Sequence, residues 1–536
     1  MTFNPLSRRS VVMGFGGAVA TSQPLAAMAG LRVLMQGGHA ADAAVAAAAA
    51  LTVVEPMSTG MGGDAFALIY QAKEHQVYAL NASGRAPAGA TLEAYQQRGH
   101  NYMPARGILS VTVPGGVMGW ADLVSRFGRL GLDTVLAPAI AYAENGFPVS
   151  ERISISWLGC QDLLRQYHEA ARTYLVNGRT PRPGERFRSP NLARSLRSLA
   201  EQGPDAFYRG PIADAIVSTS ERHGGLLTHR DLYEHCSCWE EPISTDYRGY
   251  RVYECPPPGQ GIAALIALNI LNDYNLSETG FASADAFHLK MEAIKLGMAD
   301  SARYVADPQR ARVPVRGLLS AEFAQQRRDL IHMDRAIADP RAGMPPTSHD
   351  TVYVSVVDGE GNAVSFINSL YMNFGSGIVA DGTGIMLQNR GNGFSLHPQH
   401  PNCIAPDKRP FHTIIPAMVT RSDGAGRKAL YLCYGVMGGF MQAQGHVQVL
   451  TNIVNHGMNV QRAFDMPRFN YQGGRRFFIE PHLPNDVYAG LRRRGHDLTL
   501  RAGGNYGGGQ GILIHPETGA LMAGSEPRND GCALAF

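Results

Sequence analysis

Two hydroxyls pose the chemical question in this chain of 536 residues. Thr351 opens the run TVYVSVV, which alternates with the two-residue period of a strand and follows the proline-rich, polar PRAGMPPTSHD. DGEGN, residues 358–362, is a turn by composition, and AVSFINSL reads as the returning strand. With those residues as the loop, Val357 pairs with Ala363 and Thr351 falls opposite Ser369. Directly opposed side chains share one face of a sheet, their Cβ atoms ~5 Å apart. Taken alone, such a pair ordinarily does no more than support the sheet.

Scission of the Asp350–Thr351 bond would change its chemistry. Thr351 would then carry a free α-amine at the start of a rigid strand. An α-amine with a reference pKa of ~7.7–8.0 is appreciably unprotonated at neutral pH. It can take the proton of its own hydroxyl, directly or through water, so nucleophile and base sit on one residue. The sequence contains no GxSxG turn to seat a serine triad. It shows no metal cluster, phosphate loop or dinucleotide fingerprint either, since GFGGAV lacks the GxGxxG spacing. Chemistry of this kind needs no cofactor, and none is expected.

The elements that must position these hydroxyls are legible in outline. DAFALIYQAKEHQVYALNASGRAP reads as a hairpin, and VPGGVMGWADLVSRFGRL and ADAIVSTSERHG as amphipathic helices. AADAAVAAAAALTVV reads as a buried helix, and it is too short and too interrupted by Asp42 to cross a membrane. SQPLAAMAGLRVLMQGG reads as a helix capped by Ser22 with Pro24 in its first turn. Residues 146–330 read as helix-rich, broken by RVYECPPPGQG, residues 251–261, which reads as a rigid loop. After Thr351 come short strands: ALYLCYGV, GILIHP and GALMAG. Interleaved helices and strands without a linker predict one layered α/β core.

Composition excludes some classes. A net charge of +3 leaves no nucleic-acid footprint, and no apolar run has the length of a membrane helix. Seven cysteines make no paired framework, and Cys236-Ser-Cys238 is too tight for the usual metal or redox spacing. Reduced thiols and a cytoplasmic location are expected. SRRSVVMGFGGAVATS resembles a twin-arginine export signal, which would give a periplasmic protein instead. Its apolar part is short and glycine-rich, so residues 11–20 read better as an early core strand.

DTVYVSVVDGEGNAVSFINSLYMNFGSGIVADGTGIMLQN resembles the start of the small subunit in the γ-glutamyltransferase family of N-terminal-nucleophile hydrolases. TSQPLAAMAGLRVLMQGGHAADAAVAAAAALTVVEPMSTGMGGDAFALIY, CPPPGQG, DKRPFHTIIPAM, VMGGF and GSEPRNDG extend the likeness over nearly the whole chain. The resemblance implies a four-layer αββα sandwich made as one chain. It implies self-cleavage before Thr351 into a large α subunit, residues 1–350, and a small β subunit, residues 351–536. Whether two such heterodimers pair as (αβ)2 is left open. Thr351 matches the nucleophile, and Ser369 a second hydroxyl that contacts the nucleophile's amine. Gly438 and Gly439 match paired glycines whose N–H groups form an oxyanion hole.

The departures bear on substrate. Where the family's α-carboxylate-binding arginine is expected in LNASGRAP, the chain has Ser83, with Arg85 two residues on. Gly393 replaces the aspartate that would hold an α-amine, Tyr371 replaces an asparagine, and His412-Thr413 replaces a serine pair. LQNRG…FSL…HPN is similar to a branch with oxamate amidohydrolases and cephalosporin-acylase-like members. The implied substrate-binding residues are Arg85, Asn389, Arg390, His412 and Thr413. The expected activity is hydrolysis of a small amide, either oxamate-type or γ-glutamyl. The alternatives are a cephalosporin or glutaryl acylase and an uncleaved binding homologue.

Overall fold

The structure is a computed structural model that describes residues 9–340, 351–503 and 505–536. Asp350, and Arg8 of the paired arginines, lie outside the described residues. Two seven-stranded sheets form the centre. The first runs in the order Cys532–Ala535, Gly17–Thr21, Val352–Asp358, Ala363–Ser369, Asp64–Gln71, Gln76–Ala82, Cys238–Glu240. The second runs Val12–Gly14, Leu521–Ser525, Gly508–Ile514, Lys428–Met437, Ala417–Ser422, Tyr250–Glu254, Ile243–Tyr247. Among the described residues every strand pairing within the two sheets is antiparallel.

Alternation explains how each strand serves two layers. Val352, Val354 and Val356 pack into a helical core with the helix Ala40–Val54, whereas Tyr353 and Val357 pack between the sheets. That helix is buried along its whole length, and its run of alanines lets it lie close to the sheet. On the far side, Gly261–Leu271, Ala284–Tyr304 and Met441–Val454 cover the second sheet through Val252, Val419, Leu432 and Val436. Four layers, αββα, result. Among the described residues no helix is long and apolar enough to cross a membrane.

The hairpin has the register read from the sequence: Val357 pairs with Ala363 and Val352 with Asn368. Two readings change. Ser22 is not the helix cap; the Gln23 side chain accepts from Leu25 N at 2.6 Å, and Ser22 Oγ donates to Glu55 Oε2 at 2.6 Å. The helix-rich middle of the chain also contains the hairpin Ile243–Tyr247/Tyr250–Glu254, an edge of the second sheet, so residues 251–254 of the expected loop are strand and the loop itself begins only at the prolines. Residues 11–20 supply strands to both sheets, and Arg9 Nη1 donates to Ser525 Oγ and Gly531 O.

Candidate active site

Three neighbouring strands of the first sheet bring three polar residues into one row. Thr351 stands just before Val352–Asp358, Ser369 ends Ala363–Ser369, and Asp64, the register partner of Ser369, begins Asp64–Gln71. All three face the gap between the sheets and are fully buried. Thr351 Oγ1 lies 3.1 Å from Ser369 Oγ, which also accepts from Tyr371 N at 2.8 Å.

Asp64 is the hub of the row. Its Oδ1 accepts from Gly84 N at 2.8 Å, Gly115 N at 3.2 Å and Gln388 Nε2 at 3.0 Å, and its Oδ2 lies 3.0 Å from His412 Nε2. An ionised carboxylate only accepts, so Nε2 of His412 carries the hydrogen. Burial alone would raise the Asp64 pKa, but the His412 hydrogen bond and the charges of His412 and Arg390 outweigh it and hold it below the ordinary value. Sequence reasoning did not single out Asp64. The available signal was one acid set between the glycines of GMGGD and an apolar strand, a place where an unpartnered carboxylate is costly.

The expected substrate-binding residues divide. Arg390, fully buried, donates to Thr413 Oγ1 at 2.9 Å and lies 4.3 Å from the centroid of the Tyr371 ring. Its Nε and Nη2 have no hydrogen-bond partner, and burial draws its pKa down to about 10. His412 and Thr413 adjoin it, and Gln260 of the proline-rich loop fixes them, donating to Thr413 O at 2.7 Å and Gly439 O at 2.8 Å. Asn389 holds backbone instead, accepting from Met372 N at 3.0 Å and donating to Ala105 O at 2.6 Å. Arg85 stands apart, its Nη2 donating to Gln309 at 3.1 Å. Ser83 is buried and donates to Asn81 Oδ1 at 2.6 Å.

Gly438 and Gly439 link the strand Lys428–Met437 to the helix Met441–Val454, with φ of +124° and +62° that disfavour any side chain. A Cβ on Gly438 would come 2.9 Å from Asn505 Oδ1. At Gly393 a Cβ would come 2.7 Å from Phe411 O, so an aspartate could not enter without moving that backbone. Two cavities are lined in part by residues 371 and 373, shortly after Ser369. One of about 640 Å³ is lined by Tyr371, Gly393, Phe394, Phe411 and Phe440, and one of about 390 Å³ by Asn373, Gly438, Arg106 and Arg152 among others.

A sequence profile described as Gamma-glutamyltranspeptidase matches residues 26–536. The chain belongs to that family. Gamma-glutamyltranspeptidase relatives cover it almost end to end. It is 39% identical to the glutathione hydrolase-like YwrD proenzyme of Bacillus subtilis, over 98% of this chain and 99% of that protein. It is 37% identical to the oxamate amidohydrolase proenzyme of Klebsiella pneumoniae, with the same coverage. The cephalosporin acylase of Bacillus halodurans superposes with a TM-score of 0.94 at 45% identity, covering 100% of this chain and 99% of that one. The αββα architecture is thus that of an N-terminal-nucleophile hydrolase, and the family processes itself autocatalytically.

Buried histidines give this member of the γ-glutamyltranspeptidase family a definite acid response. Burial holds His412, His235 and His288 neutral, with pKa values lowered to about 4. His496 is lowered to about 2 by burial and the adjacent His288 and Lys295. His288, Glu292 and His496 group their ligand atoms within 4.8 Å, but Lys295 Nζ, 2.7 Å from Glu292 Oε1, already supplies the cation there. Unfolded histidines protonate near ~6.5, so below that pH the unfolded chain binds the extra protons. Stability should be level above pH ~6.5 and fall as the pH drops toward ~4, by up to ~1.4 kcal/mol per pH unit for each such histidine. Denaturant midpoints across that window test this; a flat profile would contradict it. The Asp64 contribution is lost only at still lower pH, as its lowered pKa is reached.

Proposed function

We propose that the chain is a self-processing amidohydrolase whose nucleophile is Thr351. The hydroxyl first attacks the preceding carbonyl, an ester replaces the Asp350–Thr351 amide, and water cleaves the ester. The products are an α chain ending at Asp350 and a β chain beginning at Thr351. In the processed enzyme the freed amine takes the hydroxyl proton as Oγ1 attacks a substrate carbonyl. The developing oxyanion lies against the N–H groups of Gly438 and Gly439. The C–N bond breaks, the amine leaves with the proton, and water releases the acyl group from Thr351. The observation that carries this reading is the Thr351–Ser369 contact of 3.1 Å at the head of a fixed row.

For the acyl group, the cavity bounded by Tyr371 and Gly393 is the natural seat, since by resemblance those positions face the γ-glutamyl group. Nothing there is built for its α-amine: position 393 has no carboxylate and no room for one. Arg390, with two unpartnered nitrogens behind the Tyr371 ring, favours an acidic acyl group, with Thr413 orienting the guanidinium and His412 bonded to Asp64 beside it. An oxamate-type amide fits that charge. A second reading, a glutaryl or cephalosporin-type acyl group, draws support from the volume and aromatic walls of the same cavity.

Three substrates test the choice: oxamate by ammonia release, and γ-glutamyl- and glutaryl-p-nitroanilide by p-nitroaniline release. Loss of a charge-assisted contact to the α-amine should leave the γ-glutamyl compound about 10-fold or more behind an acyl group that lacks that amine. Efficient γ-glutamyl turnover would show the reading of Gly393 and Ser83 to be wrong.

A further inference from the structure

Gly438 and Gly439 have no side chains by which the fold could hold them, and glycine gives up more backbone freedom on folding than any other residue. Both are buried. Among the described residues neither N–H meets an acceptor. A buried N–H without a partner is costly, so two in succession are donors kept for an incoming oxygen. Whatever aims them must act on the peptide planes themselves.

Each of the two planes around Gly439 is gripped twice. The Gly438 carbonyl accepts from Met441 N at 3.1 Å and from Asn505 Nδ2 at 3.3 Å. The Gly439 carbonyl accepts from Gln442 N at 3.1 Å and from Gln260 Nε2 at 2.8 Å. In both cases one donor is the backbone of the following helix, Met441–Val454, and the other is a carboxamide from a distant segment. A peptide unit is planar, with its N–H directed opposite its C=O. Holding the Gly438 carbonyl therefore aims the Gly439 N–H, and holding the Gly439 carbonyl fixes the plane on its other side.

Both carboxamides are themselves fixed. Gln260 is fully buried, and its backbone N–H donates to His412 O at 2.9 Å. Its two Nε2 hydrogens go to Gly439 O and Thr413 O; the reversed amide would set Oε1 against two carbonyl oxygens, so the donor orientation is the one the site accepts. Asn505 accepts at its own carbonyl from Asn470 Nδ2 at 2.5 Å, and its Oδ1 accepts from Gly507 N at 3.4 Å.

We propose that Gln260 and Asn505 are positioning residues for the hydrolysis, two carboxamides that lock the peptide planes on either side of Gly439 and so aim the oxyanion donors. The inference rests on the reading of Thr351 as nucleophile and of the paired glycines as oxyanion donors, and it adds the parts that hold those donors.

Asn505→Ala removes the bond to Gly438 from a half-buried side chain, and Gln260→Met keeps its length while removing both donated bonds. Activity on the best of the three amides above is counted per chain beginning at Thr351, so that altered self-cleavage does not enter. Oxyanion contacts strengthen in the transition state, so Asn505→Ala should lower kcat about 10-fold or more and leave KM within about twofold. Gln260→Met should lower kcat likewise and also raise KM for an acidic acyl group, because it frees Thr413, which orients Arg390. Asn505→Asp keeps the shape but turns an acceptor on the Gly438 carbonyl, and should be no better than alanine; a role in packing alone would be rescued by it. A lower melting temperature with kcat per processed chain unchanged in both Asn505→Ala and Gln260→Met overturns the proposal.

A second readout uses 4-boronobutanoic acid and glutaric acid, which share three methylenes and a carboxylate. Thr351 Oγ1 adds to boron, its proton passes to the freed amine, and a boron-bound oxygen takes the place of the oxyanion. Asn505→Ala should weaken the boronic acid about as much as it lowers kcat and leave glutaric acid unchanged. Should none of the three amides turn over in protein that begins a new chain at Thr351, the hydrolase reading fails and calorimetric titration with these two acids decides the clamp alone. A preference for the boronic acid that Asn505→Ala removes supports it; no preference, or one that the variant keeps, refutes it.

Discussion

Thr351→Ala is expected to leave one 57.8 kDa chain where the unaltered protein gives fragments of about 38 and 20 kDa. Turnover of any amide should fall by ~10⁴-fold or more, since nucleophile and base are lost together. The two losses have one cause. In the proposed mechanism cleavage needs the hydroxyl, and catalysis needs both that hydroxyl and the amine that cleavage exposes. Thr351→Ser keeps the hydroxyl and should keep both activities in reduced form. Terminal sequencing of the smaller fragment must read Thr-Val-Tyr-Val. Another start, or an active uncleaved alanine variant, would remove the mechanism.

Asp64→Ala should be the most damaging change that leaves the nucleophile itself untouched. Four donors lose their acceptor at once: Gly84 N, Gly115 N, Gln388 Nε2 and His412 Nε2. The charge of Asp64 also acts on Arg390, which is buried and donates to the neutral Thr413 hydroxyl. Removing one member of such a buried set costs ~3–5 kcal/mol, a large share of the ~5–15 kcal/mol that holds a domain folded. Asp64→Asn keeps the shape and can still accept from the two glycine N–H groups. It should therefore recover much of the melting temperature while His412, now facing an amide, changes tautomer. An alanine variant as stable as the unaltered protein would show that the row is held elsewhere.

Part of the site was legible because strand geometry is local. A two-residue period and a short turn fix a register, and a register places Thr351 beside Ser369 before any tertiary contact is known. The helix 40–54 was legible for a similar reason, its length and alanine content leaving only burial. The hairpin in the second sheet was not, because in a stretch dominated by helices two five-residue strands carry little periodicity of their own. Ser22 shows the limit of capping rules. A hydroxyl before a helix caps it only when no better partner is near, and here Glu55, 33 residues on, is the partner.

By itself the sequence determined the interleaving of helices and strands, the hairpin and the pairing of the two hydroxyls, because each follows from patterns among residues close along the chain. The four layers came instead from the family resemblance and rest on strands paired across hundreds of residues. The tertiary structure alone decided that Asp64 completes the row, that Arg85 turns away to Gln309, and that Arg106 is held against the backbone of Asn373. Those facts depend on segments more than 100 residues apart being pressed together, 64 against 412 and 369, 106 against 373. Burial then makes an unpartnered charge expensive, so the packing of distant segments, which no local pattern encodes, selects the partner each charge receives.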